Sequence, residues 1–302
     1  MSGNHHHADV PAYGSAFAIG ITLNMGFVLI EAWYGWQSGS LALLADAGHN
    51  LSDVGGLLLA WAAIAAARFK ANERHSYGWR RGSILASFTN AVVLLVAMGA
   101  LAFEAVERLT TPAAIDGVTV IVVAAIGMLI NSATAWLFMR GSEHDLNIRG
   151  AFLHMAADAL VSAGVVVAGL LYLWKGWSWL DPLMTLLIAL LIIIGTWSLF
   201  RRSLHLLFDG VPDNVDLPAV KRSLLALPGV IALHDLHIWA LSTTSNALTV
   251  HVVAEAGSDH QQLLSKVTHL LDRNYDLHHV TVQIETADYA ADCSSDHCGL
   301  QP

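Results

Sequence analysis

The sequence predicts an α-helical membrane domain with six transmembrane helices, joined to a small cytoplasmic α+β domain with the element order αββαβ. Three observations carry that prediction. Of 302 residues, 55% are hydrophobic and only 13% charged, and the mean hydropathy is +0.54, outside the norm for soluble chains. The apolar excess stops near residue 207, and the remainder of the chain has ordinary soluble composition. Six apolar runs precede that point, each at or above the about 20 residues a helix needs to cross the hydrocarbon core.

The runs cover residues 15–36, 41–67, 84–109, 118–139, 148–174 and 179–199. Turn-forming residues separate them: Gln-Ser-Gly-Ser at 37–40, Thr-Thr-Pro at 110–112 and Lys-Gly-Trp-Ser at 175–178. An even number of spans puts both termini on one side. Arg68, Lys70, Arg74, Arg80 and Arg81 lie between runs two and three, Arg140 and Arg149 between four and five, and Arg201 and Arg202 after six. The opposite loops carry only Arg108 and Lys175. The excess of positive charge places both termini in the cytoplasm.

Beyond residue 210 the periodicity changes. Residues 215–227 read as a helix, with Asp216 as cap and Pro218 in the first turn; Pro228-Gly229 stops it. Residues 230–241 and 247–254 read as strands, the second alternating Leu248, Val250, Val252 with Thr249, His251, Val253. Residues 258–274 form an amphipathic helix and 279–285 a third strand. That order predicts a sheet with helices on one face. The chain thus divides into a His-containing cytoplasmic tail at 1–13, the membrane domain at 14–209, the cytoplasmic domain at 210–286 and a Cys/His-containing tail at 287–302.

Several classes fall away. The net charge of −9 argues against nucleic acid as a partner. The two cysteines, Cys293 and Cys298, sit in the last ten residues, where they cannot staple a core and suit metal binding better. No basic n-region precedes the first apolar run, so no cleavable signal peptide is expected. A nucleotide-driven pump would need a GxxxxGK[ST] loop and an intramembrane zinc protease an HExxH helix; neither occurs.

The chemistry concentrates in two apolar stretches. LLADAGHNLSDVGGLLLAW carries His49 and Asp53, and GAFLHMAADALVSAGVVVAG carries His154 and Asp158. A spacing of four puts each pair on one helix face. Ionisable groups at membrane depth are costly and mark ion pathways. Two imidazoles and two carboxylates complete a tetrahedral set that suits Zn²⁺. Such ligands bind metal only when deprotonated, so metal and protons compete. Asp46 lies one turn before His49 as a candidate orienting partner; Asn24, Glu31, Asn90 and Asn131 are expected to line the bundle interior. In the soluble part, His234 and His251 fall on neighbouring predicted strands, His278 or His279 opens the third, and Glu285 closes it.

SLALLADAGHNLSD at 40–53, HSYGWRR at 75–81, LNIRGAFLHMAADAL at 146–160, LFDGVPDNVD at 207–216 and HDLHIWALS at 234–242 together resemble the cation diffusion facilitator family, especially its bacterial and vertebrate zinc-transporting branches. The resemblance spans nearly the whole chain. It implies a homodimeric metal/proton exchanger with six spans and a metallochaperone-like cytoplasmic domain. It implies a transport site of His49, Asp53, His154 and Asp158, with the preference for zinc that the family associates with this combination. It further implies a cytoplasmic site of His234, His251, His278 and Glu285, supplemented by Cys293 and Cys298, with His297 beside them. His75 matches one member of a loop site found in some relatives, but Trp79 stands where another histidine would be, so that site is not expected. His5, His6 and His7 form a short run that reads either as a cytosolic zinc-collecting arm or as an engineered tag. The expected function is zinc/proton antiport exporting Zn²⁺, with Cd²⁺ and Co²⁺ as further cargo and a zinc-sensing dimerisation domain. The rival classes are a membrane-anchored metal sensor and an intramembrane metallo-enzyme.

Overall fold

A computed structural model describes residues 14–67, 69–139 and 146–291; the His5–His7 run, Cys293, His297 and Cys298 lie outside them. Six long helices come first: α1 (Gly14–Ser38), α2 (Leu41–Ala67), α3 (Gly82–Thr110), α4 (Gly117–Met139), α5 (Leu146–Lys175) and α6 (Leu180–Leu207). Among the described residues, four are long and apolar enough to cross a membrane: α3, α4, Phe152–Lys175 of α5, and α6. Leu129, Leu137, Leu160, Leu170, Leu190 and Ile194 each expose more than half of their surface. That outward apolar face is one that lipid solvates and water does not.

The chain forms two compact units. One comprises the chain up to Leu58 with Asn90–Trp197; the other comprises Leu59–Thr89 with the residues from Ser198 onward. In the first, Phe27, Leu43, Leu94, Met98, Val120, Val123, Val165 and Ile188 form the buried core. Small residues let the helices close up. A Cβ on Gly127 of α4 would lie 2.8 Å from the Phe27 ring of α1, and one on Gly169 of α5 would lie 2.7 Å from Ile121 of α4.

The start of α2 is fixed by polar groups far apart in the chain, with no motif to connect them. Ser40 Oγ accepts from the Leu43 N–H at 3.3 Å and donates to Asp181, whose other oxygen accepts from the Leu41 N–H at 3.0 Å. Asp181 opens α6 and is buried. It therefore satisfies donors that would otherwise be orphaned at a buried helix end. Asp116 caps α4 through Thr119, whose hydroxyl and N–H bonds hold the Asp116 carboxyl below its usual range.

The second unit contains α7 (Leu217–Leu225), β1 (Val230–Ser242), β2 (Ser245–Ala254), α8 (His260–Tyr275), β3 (His279–Glu285) and the short α9 (Ala287–Ala291). The strands lie in the order β1-β2-β3, antiparallel across the first pair and parallel across the second. A parallel return needs a crossover, and α8 supplies it. Val220 and Leu224 of α7 and Leu263, Val267 and Leu271 of α8 bury against Leu248, Val250 and Val252 of the central strand. Asp216 caps α7 by accepting from the Ala219 N–H, and Asp259 caps α8 by accepting from the Gln261 and Gln262 N–H groups. β1 is bulged: its register with β2 shifts between His234 and His237, where Asp235 takes a left-handed φ of 50°.

Candidate metal centres

In the first unit, α2 brings His49 and Asp53, and α5 brings His154 and Asp158, to one place. Each imidazole Nε2 lies between the two carboxylates. His49 Nε2 is 3.6 Å from Asp53 Oδ2 and 3.8 Å from Asp158 Oδ1. His154 Nε2 is 3.0 Å from Asp53 Oδ2 and 3.6 Å from Asp158 Oδ2. The rings meet edge to face, with centroids 5.6 Å apart. Donor atoms of His49, Asp53 and His154 all fall within 4.8 Å of one another, close enough to share one ion, with Asp158 beside them. Asp158 is buried and its Oδ2 lacks a hydrogen-bond partner, as does His49 Nδ1. A buried carboxylate oxygen without a donor is costly; a divalent cation would satisfy it. All four residues predicted from the two HxxxD repeats thus converge.

Behind them lies a polar layer that the sequence showed only in part. Glu31, Asp46, Asn50 and Ser162 are all buried. Ser162 Oγ donates to Asp46 Oδ2 at 3.2 Å, tying α5 to α2 one turn from the ligands. Ser162 lies one turn beyond Asp158, a spacing that alone does not mark it. Asn90 of α3 accepts from Ser52 Oγ at 3.3 Å, and Asn131 is buried on α4. The side chain of Asn24 lies outside the described residues.

In the second unit, His234, His251 and Glu285 form another group whose donor atoms lie within 4.8 Å. Antiparallel pairing sets His234 opposite His251 across β1 and β2, and Glu285 ends the parallel neighbour β3. Glu285 Oε2 is 2.8 Å from His234 Nε2, and Oε1 is 2.9 Å from His251 Nδ1. Gln283 also donates to Oε1, at 2.6 Å. The side chains of His234 and Glu285 are fully buried, and Nδ1 of His234 and Nδ1 of His251 have no hydrogen-bond partner. With His234 Nε2 against one Glu285 oxygen and His251 Nδ1 against the other, the three residues form a donor set that fits a metal ion. The geometry does not bring His278 to the trio. It is exposed, with Nδ1 2.6 Å from Asp272 and Nε2 3.0 Å from Asp276. The Asp272 hydrogen bond, and then the Asp276 charge, hold the His278 imidazole above its usual range. In the loop before α3, His75 lies against Trp79, the rings tilted by 30° with centroids 4.5 Å apart.

Membrane-length helices around a His/Asp cluster, together with a small sheet domain that holds a His/Glu cluster, define a multi-pass membrane protein that handles metal cations. The chain matches the cation efflux transmembrane domain over residues 17–208 and the cytoplasmic domain of cation efflux proteins over 212–287. It belongs to the cation efflux family, the cation diffusion facilitators. It is 37% identical over 293 residues to the zinc transporter ZitB of Escherichia coli, covering 94% of this chain and 93% of that one. It is 36% identical over 303 residues to the metal cation efflux system protein CzcD of Cupriavidus metallidurans, covering 100% and 96%. A Bacillus subtilis cadmium, cobalt and zinc/H(+)-K(+) antiporter is 35% identical over 291 residues, covering 95% and 92%. Among solved structures, the metal-bound C-terminal domain of the Cupriavidus CzcD transporter matches 24% of this chain and 99% of its own length, at 43% identity and a TM-score of 0.23.

Proposed function

We propose that this protein exports Zn²⁺ from the cytosol in exchange for protons, through the site formed by His49, Asp53, His154 and Asp158. It is a transporter and not an enzyme. The observation that carries the reading is the meeting of both His/Asp pairs, with each imidazole 3.0 to 3.8 Å from the carboxylates. The relatives named for zinc, cadmium and cobalt support the cargo. Two imidazoles and two carboxylates suit four-coordinate zinc. Because protons and metal compete for the same lone pairs, alternating exposure of the site suffices to couple their movements. Six spans, with α1 and α2 completing the set and both termini cytoplasmic, accord with the distribution of basic loop residues.

The protein works as a homodimer in this reading. The trio His234, His251 and Glu285 binds regulatory zinc in the cytoplasm. Its bound charge offsets repulsion between two copies of a chain that carries a net −9. The fourth position falls to a donor outside the trio: Cys293 or Cys298 from the tail, or His278 once it is released from Asp272 and Asp276. In this reading residues 14–209 carry transport and 210–286 regulation.

Purified protein in proteoliposomes tests the proposal. Zinc flux should rise when a proton gradient is imposed opposite to the zinc movement. Equal flux with and without the gradient overturns the coupling, and no flux overturns the transport reading. Selectivity gives a second check. His49→Asp exchanges an imidazole for a harder carboxylate of variable denticity, so the ratio of Cd²⁺ or Mn²⁺ to Zn²⁺ flux should rise in paired-metal competition. An unchanged ratio would place selectivity elsewhere.

A further inference from the structure

We infer that Asp235 is a positioning residue for the cytoplasmic metal site: it holds the outer nitrogen of His251 so that the inner one faces the metal. This rests on the reading of His234, His251 and Glu285 as a metal trio, and it adds a residue that neither the trio nor the tail candidates include.

The backbone makes the contact possible. An alternating strand through His234-Asp235-Leu236-His237 would send Asp235 to the opposite face from His234. The register of β1 against β2 breaks between His234 and His237, and Asp235 takes φ 50° there. Aspartate is one of the few non-glycine residues that visit this region, and a bulge re-aims the side chain it carries. The consequence is visible in the contacts. Asp235 Oδ2 lies 3.7 Å from His251 Nε2, and Oδ1 lies 2.9 Å from His237 Nε2. One carboxylate therefore serves two imidazoles from two strands.

His251 is divided between two environments. Its Nε2 faces Asp235; its Nδ1 is buried against Glu285 Oε1 at 2.9 Å without an aligned hydrogen bond. A neutral imidazole has one N–H and one lone pair. Without a metal, Nδ1 is the better-placed nitrogen for the proton, since it lies 2.9 Å from Glu285 Oε1 while Nε2 is 3.7 Å from Asp235; an ion that takes the Nδ1 lone pair moves the proton to Nε2, on the side that Asp235 faces. Carboxylate–histidine–metal arrangements of this kind fix the tautomer and ring orientation, and losing the carboxylate costs about 10–100-fold in metal affinity. Side-chain exposure falls along the same line, from 54% at His237 through 29% at Asp235 and 24% at His251 to 2% at Glu285.

The test uses full-length protein with Asp53→Ala and Asp158→Ala, so that transport-site zinc is not counted. Asparagine is the informative replacement, because it tolerates the same backbone conformation but carries no negative charge. Asp235→Asn should weaken zinc about 10–100-fold in competition with a fluorescent chelator, and Asp235→Glu should restore part of it. ¹⁵N-histidine NMR of the zinc-loaded protein, with His251 assigned from a His251→Asn variant, should show the His251 Nε2–H resonance of the parent displaced in Asp235→Asn and partly restored in Asp235→Glu. Unchanged affinity, or an unchanged Nε2 resonance, in Asp235→Asn overturns the proposal. If the parent itself binds no zinc, the metal reading of the trio fails, and this proposal with it.

Discussion

Asp53→Ala or Asp158→Ala is expected to bring zinc flux to the level of empty vesicles, a loss of more than about 100-fold, given that even outer-shell partners of metal ligands are worth 10–100-fold. The two aspartates supply all the negative charge in the proposed site, and each faces both histidines. Removing one leaves a monoanionic site for a dication at membrane depth, where an uncompensated charge is most costly. The two positions are not equivalent in the metal-free protein. Asp158 is 6% exposed at its side chain and Asp53 41%, so Asp158→Ala also removes a buried, partnerless oxygen and should not lower thermal stability. Asp53→Ala leaves His154 without its 3.0 Å partner and should be neutral or slightly destabilising. Flux at matched protein levels, with dimer content checked by size-exclusion chromatography, reads the outcome. Wild-type flux in either variant would sink the assignment of the transport site.

The two units differ in how far they are legible in the sequence, and the reason is physical. Helix limits are set by apolar runs and the turn residues between them. The observed α2 covers the same residues, 41–67, as the predicted run, and α4 begins one residue earlier than expected. The His/Asp pairs were legible because i, i+4 spacing fixes a face whatever the bundle does. Ser162, Asn50 and Asp181 were not: a lone serine, asparagine or aspartate has no periodic signature, and only packing shows what it touches. In the sheet domain, the strand at 279–285 and the cap at Asp216 appear where the sequence predicts them. β1 hides a bulge, because alternation carries no sign of a residue in the left-handed region. That bulge is why Asp235 joined the site unseen. His278, expected in the cytoplasmic site, stands apart from the trio for a related reason: it precedes β3 just after the left-handed Asp276 that ends α8, and adjacent carboxylates capture it. The short α9 lay beyond the last strand signal.

Zinc is expected to raise the melting temperature of the cytoplasmic domain in the full-length protein, and His234→Ala/His251→Ala should abolish that rise while leaving proton-coupled flux at its basal level. The metal-free trio is stable enough to form: Glu285 accepts from Gln283 and engages both imidazoles. His234 Nε2, His251 Nδ1 and the Glu285 carboxylate already lie together, so the folded state offers the metal a preformed set of donors that an unfolded chain does not. Ligand binding to the native state alone stabilises by RT ln(1 + [L]/Kd), about 2.7 kcal/mol at a hundred times Kd. For a domain of this size each kcal/mol moves the midpoint by about 4–8 °C, so the shift should be about 10 °C or more and should vanish on adding a chelator. Glu285→Ala should behave differently from the histidine variant. It strips the fully buried His234 of its 2.8 Å partner, which costs about 1–3 kcal/mol for a buried polar group left unpaired, and therefore lowers the metal-free midpoint as well as the zinc response. Absence of a zinc-dependent shift in the wild-type protein would reject the regulatory site. Loss of all flux in a folded His234→Ala/His251→Ala protein would reject the separation of the two sites, because a ligand set in the sheet domain would then be needed for every transport cycle.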